Sequence, residues 1–177
     1  MIKEIIFVGV LLFFLGCESV KSVIVPQKLE EAYIQATRKA ELIQEDRVQV
    51  VLIATYLNAF DREKYPREKG EIFFVDVYQS FQHEVKNSKD FFENGFHLIL
   101  GNGETPVKIT RLKKEQLDNL MQSNATPWGE YYLVEFLPQD KRTLNSLQLL
   151  LYHKDFGEDY LNFGFKPLSK EALKDKR

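Results

Sequence analysis

A chain of 177 residues with a formal net charge of -2 is long enough for one domain and gives little reason to expect two. The near-neutral charge lacks the excess of Lys and Arg that is typical of nucleic-acid binding, so we expect no nucleic-acid partner. A single cysteine excludes an intrachain disulfide, and stability therefore has to come from a hydrophobic core. The fourteen Phe and eight Tyr suit the half-buried surface of a β-sheet.

The chain begins with an uninterrupted apolar run over residues 5–16, which is preceded by Lys3 and followed by Cys17. Such a run is too short to cross a hydrocarbon core of ~30 Å, which takes about 20 residues of helix. It does fit the apolar region of about 7–15 residues in a secretory signal peptide. Its end, Leu15-Gly16-Cys17, resembles the lipobox of bacterial lipoproteins, in which the signal is cleaved before a cysteine that is then lipidated.

The resemblance implies a signal peptide over residues 1–16, a lipidated tether over residues 17–28 and a single domain over residues 29–177. Cys17 would hold the domain on a membrane, and no thiol would remain for a nucleophile or a metal site. Glu18 is not the Asp that typically retains such proteins at the inner membrane. The resemblance therefore implies the cell envelope, with the outer membrane as the site of anchoring.

The first predicted element of the domain is a helix over Leu29–Ala36, where apolar residues recur at the helical period. That period could continue to Ile43. Alternatively, Arg38–Gln44 could form a first strand that turns at Glu45-Asp46, and we favour the strand.

Runs of β-branched and aromatic residues predict seven further strands. They are Val48–Leu57, Ile72–Tyr78, Phe96–Leu100, Val107–Leu112, Trp128–Leu137, Leu144–Tyr152 and Tyr160–Phe165. The first of these is apolar on both faces, as a strand covered on each side would be. Gly101-Asn102-Gly103 predicts a β-hairpin between the third and fourth, because Asn and Gly supply the positive φ of tight turns. Lys114–Met121 is predicted to form one short helix.

Seven or eight strands without regular strand–helix alternation predict a mainly all-β fold. We expect an antiparallel, immunoglobulin-like β-sandwich with one or two short helices, and a partly open barrel is the alternative. In this layout the chain is similar to small lipoproteins of Gram-negative bacteria, with which it shares no functional motif.

No motif in the sequence predicts catalysis, a cofactor or a metal site. His83, His97 and His153 are far apart and form no close pair of ligands. The Gly-x-Ser-x-Gly motif of hydrolases is absent, and Gly101-Asn102-Gly103 lacks the third glycine of a dinucleotide fingerprint. We therefore expect no cofactor and no enzymatic activity, with a hydrolase site assembled only in three dimensions as an alternative.

Lys108, Arg111, Lys113 and Lys114 form the densest basic cluster of the sequence. The cluster is a candidate for contact with anionic lipid headgroups or an acidic partner, since each basic residue near an anionic leaflet contributes ~1 kcal/mol. A solvated strand edge followed by a helix start would produce the same pattern.

Pro127-Trp128-Gly129 with Tyr131-Tyr132 is the most suggestive candidate for a binding surface. Trp and Tyr dominate binding hot spots in protein interfaces. The alternative is that Trp128, the only tryptophan, belongs to the core. The sequence thus predicts a membrane-anchored, non-catalytic module that binds an envelope protein or polymer. An envelope hydrolase and a small-ligand binder with a cavity between its sheets are the alternatives.

Overall fold

The computed structural model of the chain describes residues 28–80, 90–139 and 147–164. The chain divides between Glu31 and Ala32, and both sheets belong to the part that begins at Ala32. The described strands are β1 Thr37–Gln44, β2 Arg47–Tyr56, β3 Glu71–Gln79, β4 His97–Leu100, β5 Lys108–Leu112, β6 Glu130–Phe136, β7 Gln148–His153 and β8 Gly157–Asn162. The described α-helices are α1 Lys28–Gln35, α2 Leu57–Phe60 and α3 Asn119–Asn124, with 3₁₀ turns at Arg67–Lys69, Phe92–Asn94 and Lys114–Gln116.

Five strands form one sheet in the order β1-β2-β3-β6-β5, and three strands form a second sheet in the order β4-β7-β8. All neighbouring strands are antiparallel. The two sheets pack together around a common core. The prediction of a mainly β, sandwich-like fold of two antiparallel sheets is therefore confirmed.

The core between the sheets follows from the two-residue alternation of β3. Phe73, Val75 and Val77 point to one face of the five-stranded sheet and are at most 1% exposed. They belong to one apolar cluster with Leu149 and Leu151 of β7 in the opposite sheet. Aromatic and aliphatic side chains thus fill the space between the sheets.

The opposite, outer face of the five-stranded sheet carries a second apolar cluster. Phe74 of β3 and Tyr131 of β6 pack there with Tyr33 of α1, Leu57 of α2 and Met121 of α3. Helices therefore cover the face that the three-stranded sheet does not.

Strands β1 and β8 lie next to each other along one seam between the sheets. The main-chain N–H of Glu41 donates to Asp159 Oδ2 at 2.9 Å, and Arg38 Nε donates to the carbonyl oxygen of Asn162 at 2.9 Å. Side chains take part in both bonds, and no strand ladder joins β1 to β8 in the described residues. The sheets therefore remain two separate sheets at this seam.

The predicted first strand, Arg38–Gln44, is confirmed as β1. Glu45 and Asp46 have φ of 50° and 58°, so both central residues of the β1–β2 turn adopt positive φ. Short hairpins of type I′ require this conformation, which Asp tolerates better than most residues. Helix α1 accordingly ends at Gln35.

The predicted hairpin between Phe96–Leu100 and Val107–Leu112 is wrong. The turn residue Gly103 does have positive φ, but β4 pairs with β7 and β5 pairs with β6 in the other sheet. Leu98 and Leu100 bury their side chains in the core from the three-stranded sheet. The turn reverses the chain locally, and burial decides which sheet each strand joins.

The predicted single helix Lys114–Met121 is also wrong. A 3₁₀ turn ends at Gln116, and Leu117 is extended with φ −73° and ψ 141°. Helix α3 then begins after Asp118, whose Oδ1 accepts a hydrogen bond from the main-chain N–H of Met121 at 2.9 Å. An aspartate N-cap of this kind starts a new helix instead of continuing the old one.

The remaining differences concern the ends of elements. Strand β6 begins at Glu130, so Trp128 precedes it, and β8 begins at Gly157. The predicted signal peptide, Cys17 and the predicted strand residues 144–146 lie outside the described residues. No described helix is both long and apolar enough to span a bilayer.

Candidate functional site

Trp128 lies on the surface, with 65% of its side chain exposed. It belongs to the segment between α3 and β6, residues 125–129, which we call the Trp128 loop. The main-chain N–H of Gly129 donates to the carbonyl oxygen of Thr126 at 3.3 Å, which closes a turn with Pro127 and Trp128 at its centre. The alternative that Trp128 is a core residue is therefore wrong.

A buried aspartate holds this loop on the sheet. Asp76 lies in the middle of β3 on the outer face and is 3% exposed. Its Oδ2 accepts a hydrogen bond from the main-chain N–H of Thr126 at 2.7 Å, and its Oδ1 accepts one from Thr126 Oγ1 at 2.9 Å. Both carboxylate oxygens thus bind the same loop residue.

Gly129 completes the attachment of the loop. A Cβ atom at this position would lie 1.9 Å from Asp76 Oδ1 and 2.5 Å from Thr126 Oγ1, so a larger residue requires the loop to move. The hydroxyl of Tyr131 donates to the carbonyl oxygen of Thr126. The loop is therefore bound to the sheet at Thr126, and it approaches Asp76 closely again at Gly129.

The charge of Asp76 has no counter-ion among the described residues. Burial raises the pKa of this carboxyl, and the two hydrogen bonds from Thr126 oppose the rise. A buried carboxylate without a cation is disfavoured in its ionised form. The pKa of Asp76 therefore reflects both the cost of burial and its partial compensation by Thr126.

Tyr131 does not share the exposure of Trp128. It is 5% exposed and stacks on Phe74, with ring centroids 6.3 Å apart. The hypothesis that both aromatic residues face a partner needs correction, because the alternation of β6 directs Tyr131 onto the outer face beneath the helices. Tyr131 supports the loop through its hydroxyl, and Trp128 alone is presented to solvent.

The basic cluster is divided by the strand that carries it. Lys108 is opposite Glu135 and binds it at 2.8 Å, whereas Arg111 is opposite Tyr132 on the other face of the sheet. Lys113 and Lys114 follow the strand and are exposed. The four predicted residues therefore do not form one patch on one face.

Arg111 takes part in a polar cluster that the sequence analysis missed. Its guanidinium lies 3.4 Å from Asp90 Oδ2 and 3.1 Å from Glu130 Oε2. The hydroxyl of Tyr132 is 2.5 Å from Glu130 and 3.0 Å from Asp90. Burial and the neighbouring Glu130 raise the pKa of Tyr132. Arg111 offsets the negative charge of both carboxylates, which favours a structural role for this cluster.

His153 has a structural environment. Its ring contacts those of Phe96 and Phe156, with centroid distances of 4.4 and 4.5 Å, and these two rings also contact each other. Nδ1 accepts from the main-chain N–H of Asp155 at 3.1 Å, and Nε2 lies 3.1 Å from the carbonyl oxygen of Asn94. Both ring nitrogens are thus engaged.

No group of three or more potential metal ligands occurs within the part of the chain that the structure describes. His97 is exposed at the start of β4, and His83 lies outside the described residues.

Comparisons with protein-family models, curated proteins and solved structures found no significant match to this chain. The class that the structure defines is a domain of two packed antiparallel sheets with helices on one outer face.

The sequence does contain a signal for the attachment of the Trp128 loop. Asp76 is the one charged residue within the apolar run Ile72–Tyr78, where every neighbour suits a covered strand. A carboxylate in such a run needs hydrogen bonds in the interior. Its partner, Thr126, could not be found, because nothing in the sequence relates two residues so far apart.

Proposed function

We propose that this protein is a lipid-anchored, non-catalytic binding module of the cell envelope, and that it binds a protein partner through the Trp128 loop. The observation that carries the proposal is an exposed tryptophan on a loop that a buried aspartate fixes to the sheet. Trp128 combines a large apolar area with a defined position. Residues of this kind dominate the binding energy of protein interfaces.

The attachment of the loop supports this proposal through entropy. Ordering a mobile segment on binding costs affinity, and a loop that is already ordered avoids that cost. Thr126, before Trp128, is hydrogen-bonded to Asp76, and Gly129, after it, lies close to the same carboxylate. The ring can then bury its surface against a partner without further ordering of the main chain.

The anchor and the location belong to the same proposal. The likeness of residues 1–17 to a lipoprotein signal supports attachment through Cys17, and Glu18 supports the outer membrane. The two packed sheets support an immunoglobulin-like architecture in the broad sense of a β-sandwich. The module would reach its partner from a membrane surface.

Site-specific photo-crosslinking in cells tests the proposal. Trp128 is replaced by p-benzoylphenylalanine in the full chain, and Tyr160, another exposed aromatic residue at 53% exposure, is replaced in a control chain. We expect a discrete crosslinked product from position 128 that position 160 does not give. Absence of a product, or the same products from both positions, would contradict the proposal.

A further inference from the structure

The outer face of the five-stranded sheet contains a cleft of about 260 Å³ beside the Trp128 loop. Its volume lies just below the ~300–1,000 Å³ of sites for drug-sized ligands, so it suits a smaller molecule. Its lining combines the apolar side chains of Ile53 and Phe74 with the polar side chains of Arg38, Lys39, Asp76 and Asn124. The cleft lies outside the core that separates the two sheets.

The two cations of the lining already have partners. Lys39 Nζ lies 2.5 Å from Glu41 Oε1. The guanidinium of Arg38 donates to three main-chain carbonyl oxygens and lies 5.9 Å from the ring centroid of Phe163. Neither cation forms an ion pair with Asp76. Asp76 therefore has no direct ion-pair partner within the lining.

Asp76 retains capacity to accept hydrogen bonds. A carboxylate offers about four acceptor positions. Thr126 occupies two of them, one on each oxygen. The carboxylate is buried and also lines the cleft, so a donor that enters the cleft can approach it.

Asn124 adds a second acceptor to the lining. Its Nδ2 donates to the carbonyl oxygen of Leu120 at 2.8 Å and lies 3.3 Å from Ser123 Oγ. The amide donors are thus directed into α3, and no donor among the described residues binds Oδ1. Asp76 and Asn124 thus offer two acceptors to a ligand that donates.

We propose that this cleft binds a primary ammonium group on an apolar stem, with the ammonium at Asp76 and the stem against Ile53 and Phe74. An ammonium supplies three donors and a positive charge that can pair directly with the carboxylate of Asp76. The stem matches the apolar walls. The group could belong to a free small amine or to a lysine side chain of another polypeptide.

Calorimetric titration of the full chain with benzylamine and with benzyl alcohol tests whether binding requires the charge of the ammonium. The two probes share a ring and differ in the ammonium. We expect benzylamine to bind at least about tenfold more tightly, which corresponds to ~1.4 kcal/mol. Equal affinities, or no saturable binding of benzylamine, would overturn the proposal. Nα-acetyl-lysine amide in place of benzylamine then identifies the source, since tighter binding of this probe assigns the site to a lysine side chain.

Two variants locate the site. Asp76→Asn should remove the preference for benzylamine over benzyl alcohol. Ile53→Phe fills the cleft from β2, opposite Asp76, and should weaken both probes while it leaves the bonds to Thr126 in place. Unchanged benzylamine binding in Ile53→Phe would contradict this location even if Asp76→Asn fails to fold.

Trp128→Ala is the matched control, because Trp128 does not line the cleft. Benzylamine should bind this variant as it binds the original chain. The result separates the two proposals, since loss of partner binding in Trp128→Ala concerns the loop alone.

Discussion

Asp76 and Thr126 are 50 residues apart in the sequence and are joined by two hydrogen bonds of 2.7 and 2.9 Å. One bond uses the main chain of the threonine and the other uses its side chain. The pair attaches the loop that exposes Trp128 to the middle of the five-stranded sheet. A buried group of the sheet therefore determines the position of a surface residue.

The hydroxyl of Thr126 can be removed without a large change in shape. Thr126→Val retains the main-chain bond to Asp76 Oδ2 and loses the bond to Oδ1. We expect a loss of about 1.5–3 kcal/mol in the free energy of unfolding, because the bond involves a charged acceptor. Chemical denaturation measures the loss. Ser123→Ala, which removes an exposed hydroxyl in α3, is the control and should change stability by less than about 0.5 kcal/mol.

Gly129 should tolerate no side chain while Asp76 is present. Gly129→Ala places a methyl group 1.9 Å from Asp76 Oδ1, and we expect a loss of about 1–3 kcal/mol from the forced displacement. A double-mutant cycle with Asp76→Ala isolates this contact. The losses in unfolding free energy of the two single variants should sum to more than the loss of the double variant. Strict additivity would show that the methyl group of Gly129→Ala does not clash with Asp76.

The stability of the domain should depend on the ionisation of Asp76. Burial raises the pKa of this carboxyl in the folded state. As pH rises past ~3.9, the ordinary pKa of an aspartate, the unfolded chain therefore releases this proton before the folded chain does. The folded state then binds more protons, and its stability falls until pH exceeds the folded pKa. Tyr33 and Tyr131, whose pKa values are raised by burial and then by the charge of Asp76, stay protonated throughout that window.

Asp76→Asn lacks this titration and provides the comparison. The free energy of unfolding of the original chain minus that of the variant should decrease as pH rises from about 4 toward neutrality. Urea denaturation at a series of pH values measures the difference. A difference that grows with pH would mean that the folded state favours the ionised carboxylate.

Cys17→Ser tests the anchor. Two lipid signals are sufficient for stable attachment to a membrane, and a lipidated cysteine with several chains exceeds that requirement. We expect the variant to accumulate as a soluble protein or as an unprocessed precursor, as judged by fractionation and mass spectrometry. Membrane attachment after correct removal of residues 1–16 would contradict lipidation at this residue.

The sequence predicts those parts of the fold that local chemistry determines. The β1–β2 hairpin is an example, since the turn at Glu45 and Asp46 lies directly between two strands. The separation of β4 from β5 is different in kind. It depends on where Leu98 and Leu100 are buried, and the turn at Gly103 does not determine which sheet each strand joins.

The candidate site shows the same limit. An aromatic cluster around Trp128 can be recognised in the sequence, but the exposure of each ring depends on strand alternation and on what covers the sheet. Tyr131 points beneath the helices because the register of β6 against β3 and β5 places it on the outer face, which no local pattern specifies. The contact of Asp76 with Thr126 arises only when β3 and the loop before β6 come together.

The affinity of the crosslinked partner for Trp128→Ala is the most direct test of the binding surface. The purified partner is titrated against the original chain, Trp128→Ala and Tyr160→Ala. We expect Trp128→Ala to weaken binding by about 2 kcal/mol or more, roughly 30-fold, with its unfolding free energy changed by less than about 0.5 kcal/mol. Tyr160→Ala should bind as the original chain does. Equal affinities for the original chain and Trp128→Ala would contradict the assignment of Trp128 as the partner-binding residue.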